Sequence, residues 1–162
     1  MNRVRGIGTI LVVEDNEDVR QMLKILLESD DFRVLEAATG GEALKVVKNG
    51  RPDGILMDLA LPDFDGFETI RRIRKIDGFQ NTPIIVLTAF SGQSMYETAL
   101  RAGTNYFMAK PIDFDELAEL LKQILVKGNG RHPKYNRPAQ RALISSGASV
   151  PHLTMREVRW TI

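Results

Sequence analysis

Short apolar runs alternate with longer segments of helical periodicity along residues 9–126. The apolar runs predict five β-strands, at Ile10–Val13, Arg33–Glu36, Gly54–Met57, Ile84–Leu87 and Tyr106–Met108. Three of them are continuously apolar, which is typical of parallel strands that are covered on both faces. A five-stranded parallel sheet is therefore the first expectation for this chain.

Between the predicted strands, apolar residues recur at the spacing of a helical face. The residues at this spacing are Val19, Met22, Leu23, Leu26 and Leu27, then Ala43, Val46 and Val47, then Phe67, Ile70 and Ile73 with an extension to Ile76. A weaker pattern covers Ser94–Ala102. The last pattern is the clearest, because Asp113 stands at a capping position and Glu116 follows three residues later, ahead of Leu117, Leu120, Leu121, Ile124 and Leu125. Five strands, each followed by a helix, predict a doubly wound α/β sheet with right-handed crossovers.

The periodic pattern ends near Lys127, and glycine and proline interrupt the stretch Gly128–Pro138. The charge changes at the same place, with 16 basic and 20 acidic residues in 1–127 but six basic and one acidic in 128–162. We therefore expect an N-terminal extension (1–8), one folded domain (9–127) and an irregular, flexible basic tail or linker (128–162). The tail is expected to be dispensable for the chemistry of the domain.

Composition excludes several classes of protein. The chain has no cysteine, so disulfides, thiolate metal sites and cysteine nucleophiles are excluded. No stretch approaches the roughly 20 apolar residues of a membrane span. The apolar run Ile7–Val13 is followed directly by acidic residues without a cleavage site, which argues against a signal peptide. A cytoplasmic protein without a membrane partner is the expectation.

Polar residues stand at or just after the ends of four predicted strands. Glu14 and Asp15 follow the first strand, Asp58 the third, Thr88 the fourth and Lys110 the fifth. Because ligands in such folds bind outside the carboxyl ends of the strands, these side chains are expected to converge at one edge of the sheet. Each residue alone has a simpler explanation, as a helix cap, a turn residue or a surface lysine. Their coincidence at four strand ends favours a functional site.

Carboxylates that are held close together repel one another. Two unit charges about 4 Å apart cost roughly 4 kcal/mol at an effective dielectric constant near 20. A hard divalent cation with oxygen ligands would offset this repulsion, and Mg²⁺ (or Mn²⁺) is the natural candidate. With a lysine and a hydroxyl to bind phosphoryl oxygens, the site has the parts that in-line phosphoryl transfer to an aspartate requires.

Four segments resemble the motifs of the response-regulator receiver family, which has a flavodoxin-like (βα)5 fold. They are Leu11–Asn16, Leu56–Gly66, Val86–Ala89 and Ala109–Pro111, in the family's order and at suitable spacing within residues 9–126. The resemblance implies that Asp58 is the phosphoacceptor. It implies that the metal ligands are Glu14, Asp15, Asp58 and the backbone carbonyl of Ala60. It further implies that Thr88 and Lys110 bind the phosphoryl oxygens and that the Lys110–Pro111 peptide is cis.

The resemblance also implies a phosphoryl donor and a conformational switch. The donor would be a histidine kinase or a histidine phosphotransfer protein, and the chain would be a signalling module rather than a turnover enzyme. The family's signalling aromatic residue falls on Phe107 rather than on Tyr106, and Thr88 would move with it. The resemblance further implies that Ala60 and Phe90 flank the path of a hydrolytic water. Neither side chain can hydrogen-bond that water, so slow loss of the phosphoryl group is expected.

Three other functional classes share part of this sequence pattern. A dinucleotide-binding domain would need a glycine-rich turn after the first strand, where this chain has Glu14–Asp18. A phosphatase of the haloacid dehalogenase type would need a second acid at Ala60. The third alternative stays open, because Leu153–Glu157 faintly resembles the start of a LuxR-type helix-turn-helix. The chain would then be the receiver part of a DNA-binding transcription regulator. The receiver part of a hybrid histidine kinase is a further alternative, and no nucleic-acid binding is expected of this chain itself.

Overall fold

Five strands alternate with five helices in the computed structural model, which describes residues 6–89 and 93–126. In chain order they are β1 (Gly8–Val13), α1 (Glu17–Ser29), β2 (Phe32–Ala37), α2 (Gly40–Gly50), β3 (Gly54–Asp58), α3 (Gly66–Arg74), β4 (Ile84–Thr88), α4 (Gln93–Ala102), β5 (Tyr106–Ala109) and α5 (Phe114–Val126). The predicted tail of residues 128–162 lies outside the described residues. No helix within the described ranges is long and apolar enough to cross a membrane.

The strands form one parallel sheet with the order β2-β1-β3-β4-β5. The predicted doubly wound parallel sheet is therefore confirmed. Every strand extends beyond its predicted run at one or both ends, and the residues that β3 and β4 gain, Asp58 and Thr88, are polar. Asp58 pairs with Leu87, and Thr88 pairs with Ala109. Asp58 and Thr88 are thus the last residues of their strands, because the pairing is made by backbone groups and does not stop where polarity changes.

Both faces of the sheet are covered by helices. Leu11 and Val13 of β1 pack in an apolar cluster with residues of α2, α3 and α4. Ile10 and Val12 of the same strand pack in a second cluster with residues of α1 and α5. Because alternate side chains point to opposite faces, a strand that is covered on both sides must be apolar throughout. This explains the uninterrupted apolar run that predicted β1.

The helix ends test several sequence interpretations. Asn16 is the N-cap of α1, with its side chain accepting a hydrogen bond from the Val19 N–H, so the interpretation of Glu14 and Asp15 as caps is wrong. The predicted cap of α5 is confirmed, because the Glu116 N–H donates to Asp113 Oδ1 at 3.0 Å. The predicted extension of α3 to Ile76 is wrong, since that helix ends at Arg74.

The apolar face of α1 is narrower than its sequence suggests. Leu23 and Leu27 are buried, but Met22 is 43% exposed and Ile25 is 65% exposed. Met22 therefore contributes to the helical spacing without contributing to the core. The carboxyl ends of β1 and β3 lie side by side, since Val13, the last residue of β1, pairs with Met57, the residue before Asp58.

Candidate active site

Three carboxylates meet at the carboxyl ends of β1 and β3. One oxygen from each of Glu14, Asp15 and Asp58 lies within 4.8 Å of the other two. Glu14 and Asp58 are buried, whereas Asp15 is exposed to solvent. These strands lie on either side of the point where the order of the sheet reverses, which is where ligands bind in doubly wound folds. The expected convergence of the three acids is therefore present in the structure.

Lys110 supplies the cation at this edge. Its Nζ lies 2.9 Å from Glu14 Oε2 and 3.3 Å from Asp58 Oδ2. The Lys110 N–H donates to the Thr88 carbonyl at 2.8 Å, which fixes the lysine next to the end of β4. The peptide bond between Lys110 and Pro111 is cis, as the family resemblance implies. We refer to Glu14, Asp15, Asp58 and Lys110 together as the acid pocket.

The charges of the acid pocket influence one another. Burial raises the pKa of Glu14, the hydrogen bond from Lys110 opposes this shift, and the charge of Asp58 adds to it. Partial burial by itself would lower the pKa of Lys110, but the hydrogen bond to Glu14 and the charges of Asp58 and Glu14 outweigh it and raise this pKa. Lys110 is therefore held in its charged form, while burial disfavours the ionised form of Glu14.

The donor set of the acid pocket fits a hard divalent cation. Its three acidic side chains offer only oxygen atoms, which suit Mg²⁺ and Mn²⁺ better than a soft metal. Lys110 is the one cationic side chain that forms ion pairs with them within the described ranges. The solvent-exposed Asp15 leaves one side of the cluster open, as a cation that keeps several of its waters requires.

The remaining predicted site residues lie around this edge. Ala60 follows β3 and its N–H donates to Asp58 Oδ1 at 3.3 Å. Thr88 is buried at the end of β4, the neighbour of β3. Phe90 lies outside the described residues.

The two aromatic residues of β5 face opposite sides of the sheet, as strand alternation predicts. Phe107 packs against the cluster under α2, α3 and α4, and its ring contacts Tyr96 edge-on with centroids 6.1 Å apart. Tyr106 packs against the other cluster, where burial raises its pKa. Phe107 therefore connects β5 with α4, the helix that follows Thr88 in the chain.

Sequence analysis missed one residue that supports the acids. Arg20 of α1 donates from Nη1 to the carbonyl of Glu14 at 2.8 Å and to that of Asp15 at 3.3 Å. Its Nε also lies 3.6 Å from Glu36 Oε1 on β2. Side chains of a helix lean toward its N-terminus, so an arginine in the first turns of α1 is placed to reach back to the preceding loop. That position was the only signal in the sequence.

Comparison with known proteins identifies the family. Residues 10–122 match the model of the response regulator receiver domain. This range contains all five strands except the first two residues of β1, and every residue of the acid pocket. The chain belongs to the response regulator receiver family.

Individual relatives agree with this assignment. The chain is 33% identical over 116 residues to sporulation initiation phosphotransferase F of Bacillus subtilis, covering 72% of this chain and 92% of the relative. It is 40% identical over 116 residues to the KDP operon transcriptional regulatory protein KdpE of Escherichia coli, covering 72% of this chain but 50% of the relative. The chain thus matches nearly the whole of one relative and about half of the other.

Among solved structures, the receiver domain of sensor histidine kinase PA1611 from Pseudomonas aeruginosa PAO1 is similar in fold, with a TM-score of 0.68 and 38% identity. The similarity covers 74% of this chain and 98% of that one. That receiver domain has a magnesium ion coordinated in its active site cleft. A relative thus holds a divalent cation in its active site cleft, and the oxygen donors of the acid pocket suit the same ion.

Proposed function

We propose that this protein accepts a phosphoryl group on Asp58, in a Mg²⁺-dependent reaction, from a histidine kinase or a histidine phosphotransfer protein. The observation that carries the proposal is the acid pocket itself. Three carboxylates share one ammonium at the carboxyl edge of the sheet, and one of them, Asp58, ends a central strand. A buried carboxylate with more acidic than basic neighbours lowers the stability of the fold, so a purely structural role does not account for this cluster.

Asp58 is the nucleophile in this proposal. An oxygen of its carboxylate attacks the phosphorus of a phosphohistidine in line with the leaving nitrogen. The new P–O bond forms as the P–N bond breaks, and the imidazole keeps the electron pair of that bond and takes up a proton. Glu14, Asp15, Asp58 and the Ala60 carbonyl would hold the cation, which would neutralise part of the charge on the transferring group.

Lys110 and Thr88 orient the phosphoryl group. The Nζ of Lys110 lies 3.3 Å from Asp58 Oδ2, within reach of an oxygen bound to that carboxylate. Thr88 ends the strand beside Asp58 and offers a hydroxyl to a second phosphoryl oxygen. Contacts that Thr88 makes only with the phosphoryl group would favour one of two conformations that the chain already samples. In that conformation Phe107, which packs near α4, would turn inward as Thr88 moves. Chemical-shift changes confined to the acid pocket, with none at Phe107, would contradict this switch.

The phosphorylated form is expected to be long-lived. Ala60 and Phe90 are the two residues that the family resemblance assigns to the path of a hydrolytic water, and neither side chain can hydrogen-bond a water. Replacing Phe90 with Glu should accelerate loss of the phosphoryl group by supplying a group that can orient a water. Unchanged or slower loss in that variant would contradict the shielding role of Phe90.

The test of the proposed function is phosphorylation by acetyl phosphate in the presence of Mg²⁺, followed by intact-mass analysis. The wild-type chain should gain one phosphoryl group, and Asp58→Asn should gain none. Asp77→Asn serves as the matched control, because Asp77 is an exposed acid away from the acid pocket and should leave phosphorylation unchanged. Full phosphorylation of Asp58→Asn would overturn the assignment.

A further inference from the structure

One short segment of the chain lies between the two loops that carry the acids. This segment, Ala37–Gly41, joins β2 to α2, and we call it the β2–α2 bridge. On one side, the Glu14 N–H donates to the Ala37 carbonyl at 3.1 Å. On the other side, the carboxylate of Asp63 accepts from the Gly40 N–H at 2.8 Å and from the Gly41 N–H at 2.7 Å. The bridge therefore contacts both the β1–α1 loop and the β3–α3 loop.

The hydrogen bonds of Asp63 complete the start of α2. The first amides of a helix have no partner within the helix itself. The Glu42 N–H is satisfied by the side chain of Thr39 and the Ala43 N–H by the Thr39 carbonyl. Gly40 and Gly41 take their partner from Asp63, 23 and 22 residues further along the chain. The negative carboxylate also lies at the positive end of the helix dipole.

The electrostatics of Asp63 agree with this geometry. Desolvation alone would raise the pKa of Asp63, but the hydrogen bonds from Gly41 and Gly40 outweigh it and lower the pKa. The contact is also close, because a Cβ atom added at Gly40 would collide with Thr69 Oγ1 and lie 3.1 Å from the ring of Phe64. The two glycines thus allow the β3–α3 loop to approach the helix end directly.

The β3–α3 loop connects Asp63 with the acid pocket. Near the start of the loop, the Ala60 N–H donates to Asp58 Oδ1 at 3.3 Å, and at its end Asp65 caps α3 by accepting from the Glu68 N–H at 2.7 Å. Both of these contacts are local in sequence. Asp63 joins the middle of the loop by hydrogen bonds to a different part of the fold, the start of α2, next to the apolar packing of Leu61.

We propose that Asp63 is a positioning residue for the acid pocket. Its two hydrogen bonds to α2 set the position of the loop that holds Ala60 beside Asp58, and thereby the affinity of the site for Mg²⁺. The inference rests on the proposed function, because it takes the Ala60 carbonyl as a ligand of the cation. Residues that support metal ligands typically change metal affinity by 10–100-fold when they are replaced. Asp63 is exposed, so the lower end of this range, about tenfold, is expected.

The experiment compares the full-length wild type with Asp63→Ala, Asp63→Asn and the control Asp65→Asn. Asp65 is the matched control because it is an acid of the same loop that caps only the helix following it. Phosphorylation by acetyl phosphate is measured across a Mg²⁺ titration, and Mg²⁺ binding is measured by calorimetry. Asp63→Ala should raise the half-saturating Mg²⁺ concentration about tenfold and keep the rate at saturating Mg²⁺ within about twofold of wild type. Asp65→Asn should lower thermal stability without moving the half-saturating concentration.

A spectroscopic measurement separates positioning from a general loss of stability. Mg²⁺ should shift the amide resonances of Gly40 and Gly41 in the wild type, and these shifts should disappear in Asp63→Ala. Asp63→Asn keeps one acceptor oxygen, so its Mg²⁺ affinity should lie between those of wild type and Asp63→Ala. If Asp63→Ala does not fold, Asp63→Asn is compared with the wild type and with Asp65→Asn in its place.

Two results would overturn the inference. One is an unchanged half-saturating Mg²⁺ concentration in a folded Asp63 variant, and the other is an equal weakening in Asp63→Ala and Asp65→Asn. A wild-type chain that binds no Mg²⁺ or is not phosphorylated on Asp58 would instead overturn the proposed function, and with it the premise of this inference. The two kinds of failure are therefore distinguishable in one set of measurements.

Discussion

At the carboxyl end of the sheet two buried carboxylates share one ammonium, whereas at the amino end a largely buried guanidinium is surrounded by neutral oxygens. Arg74, at the end of α3, donates to the Phe79 and Thr82 carbonyls at 2.7 and 2.8 Å. It also donates to the Gly103 carbonyl at 3.0 and 2.8 Å and to Asn105 Oδ1 at 2.7 Å. Burial lowers the pKa of Arg74 to about 10.

The difference concerns how completely each charge is satisfied. Arg74 places five hydrogen bonds on acceptors from two loops, so its planar fork joins segments that are distant in sequence. The acid pocket has more carboxylates than cationic partners within the described ranges, and it retains the capacity to bind a further cation. A fully satisfied buried charge indicates a structural support, and an incompletely balanced cluster indicates a functional site.

The largest expected effect is at the amino end. Arg74→Gln should lower the free energy of unfolding by about 3 kcal/mol, because it leaves several partly buried carbonyls without donors. Urea denaturation measures this change. Arg71→Gln is the control, since Arg71 on the same helix makes only an exposed 3.4 Å ion pair with Glu68 and should cost less than about 0.5 kcal/mol. A loss at Arg74 no larger than that at Arg71 would remove the basis of the comparison.

At the carboxyl end, Lys110→Met should cost about 2 kcal/mol in the absence of divalent cations, because Glu14 and Asp58 lose their shared partner. Added Mg²⁺ should reduce this deficit, since the uncompensated acids bind the cation more tightly and binding to the folded state stabilises it. Urea denaturation with chelator and with Mg²⁺ measures both quantities.

The control for that measurement is Lys122→Met. Lys122 pairs with Asp30 on the surface at 2.9 Å, and its loss should cost less than about 1 kcal/mol with or without Mg²⁺. A Lys110→Met deficit that is independent of Mg²⁺ would show that this end of the sheet is as purely structural as the other.

A smaller effect of opposite sign is expected at Asp15. Asp15→Asn should raise the metal-free free energy of unfolding by about 0.5 kcal/mol, because it relieves repulsion at a solvent-exposed position. The same change should weaken Mg²⁺ binding at least about tenfold, since a ligand is lost. Asp18→Asn is the control, because Asp18 lies in the first turn of α1, where a negative charge is favourable. An unchanged Mg²⁺ titration in Asp15→Asn would exclude Asp15 as a ligand.

The last expected effect, which ranges down to zero, concerns the amino end again. In the part of the chain that the structure describes, Thr104 Oγ1 is the one buried side-chain polar atom without a hydrogen-bond partner. Thr104→Val should therefore be neutral or raise the free energy of unfolding by up to about 1 kcal/mol, because it replaces an unsatisfied hydroxyl with a methyl group. A loss greater than about 1 kcal/mol would show that this hydroxyl contributes to the network around Arg74.

Much of the fold could be predicted from local pattern. The order of the elements followed from apolar runs and helical spacing, because both faces of a parallel sheet must be covered. The cap at Asp113 was predictable because its partner, Glu116, is three residues away. The end of α3 was not, because Ile76 is apolar and is partly buried against the core without being helical.

The supporting residues were beyond local pattern. From the sequence, Arg74 is one of several basic residues near the end of a helix, yet its partner Asn105 is 31 residues away. Asp63 is one of several acids in a turn, and its partners lie on another helix. Neither position carries a periodicity or a motif that would identify its partner.

The sequence by itself determined which residues stand at the carboxyl ends of the strands, and therefore which carboxylates, hydroxyl and ammonium this edge of the sheet offers. Chain connectivity is sufficient for that, since parallel strands must all end on the same side. The tertiary structure alone decided the spacing of the acids, the sharing of Lys110 between Glu14 and Asp58, and the partners of Arg74 and Asp63. These contacts depend on how helices and loops pack on the sheet, and that packing joins residues whose separation along the chain carries no local signal.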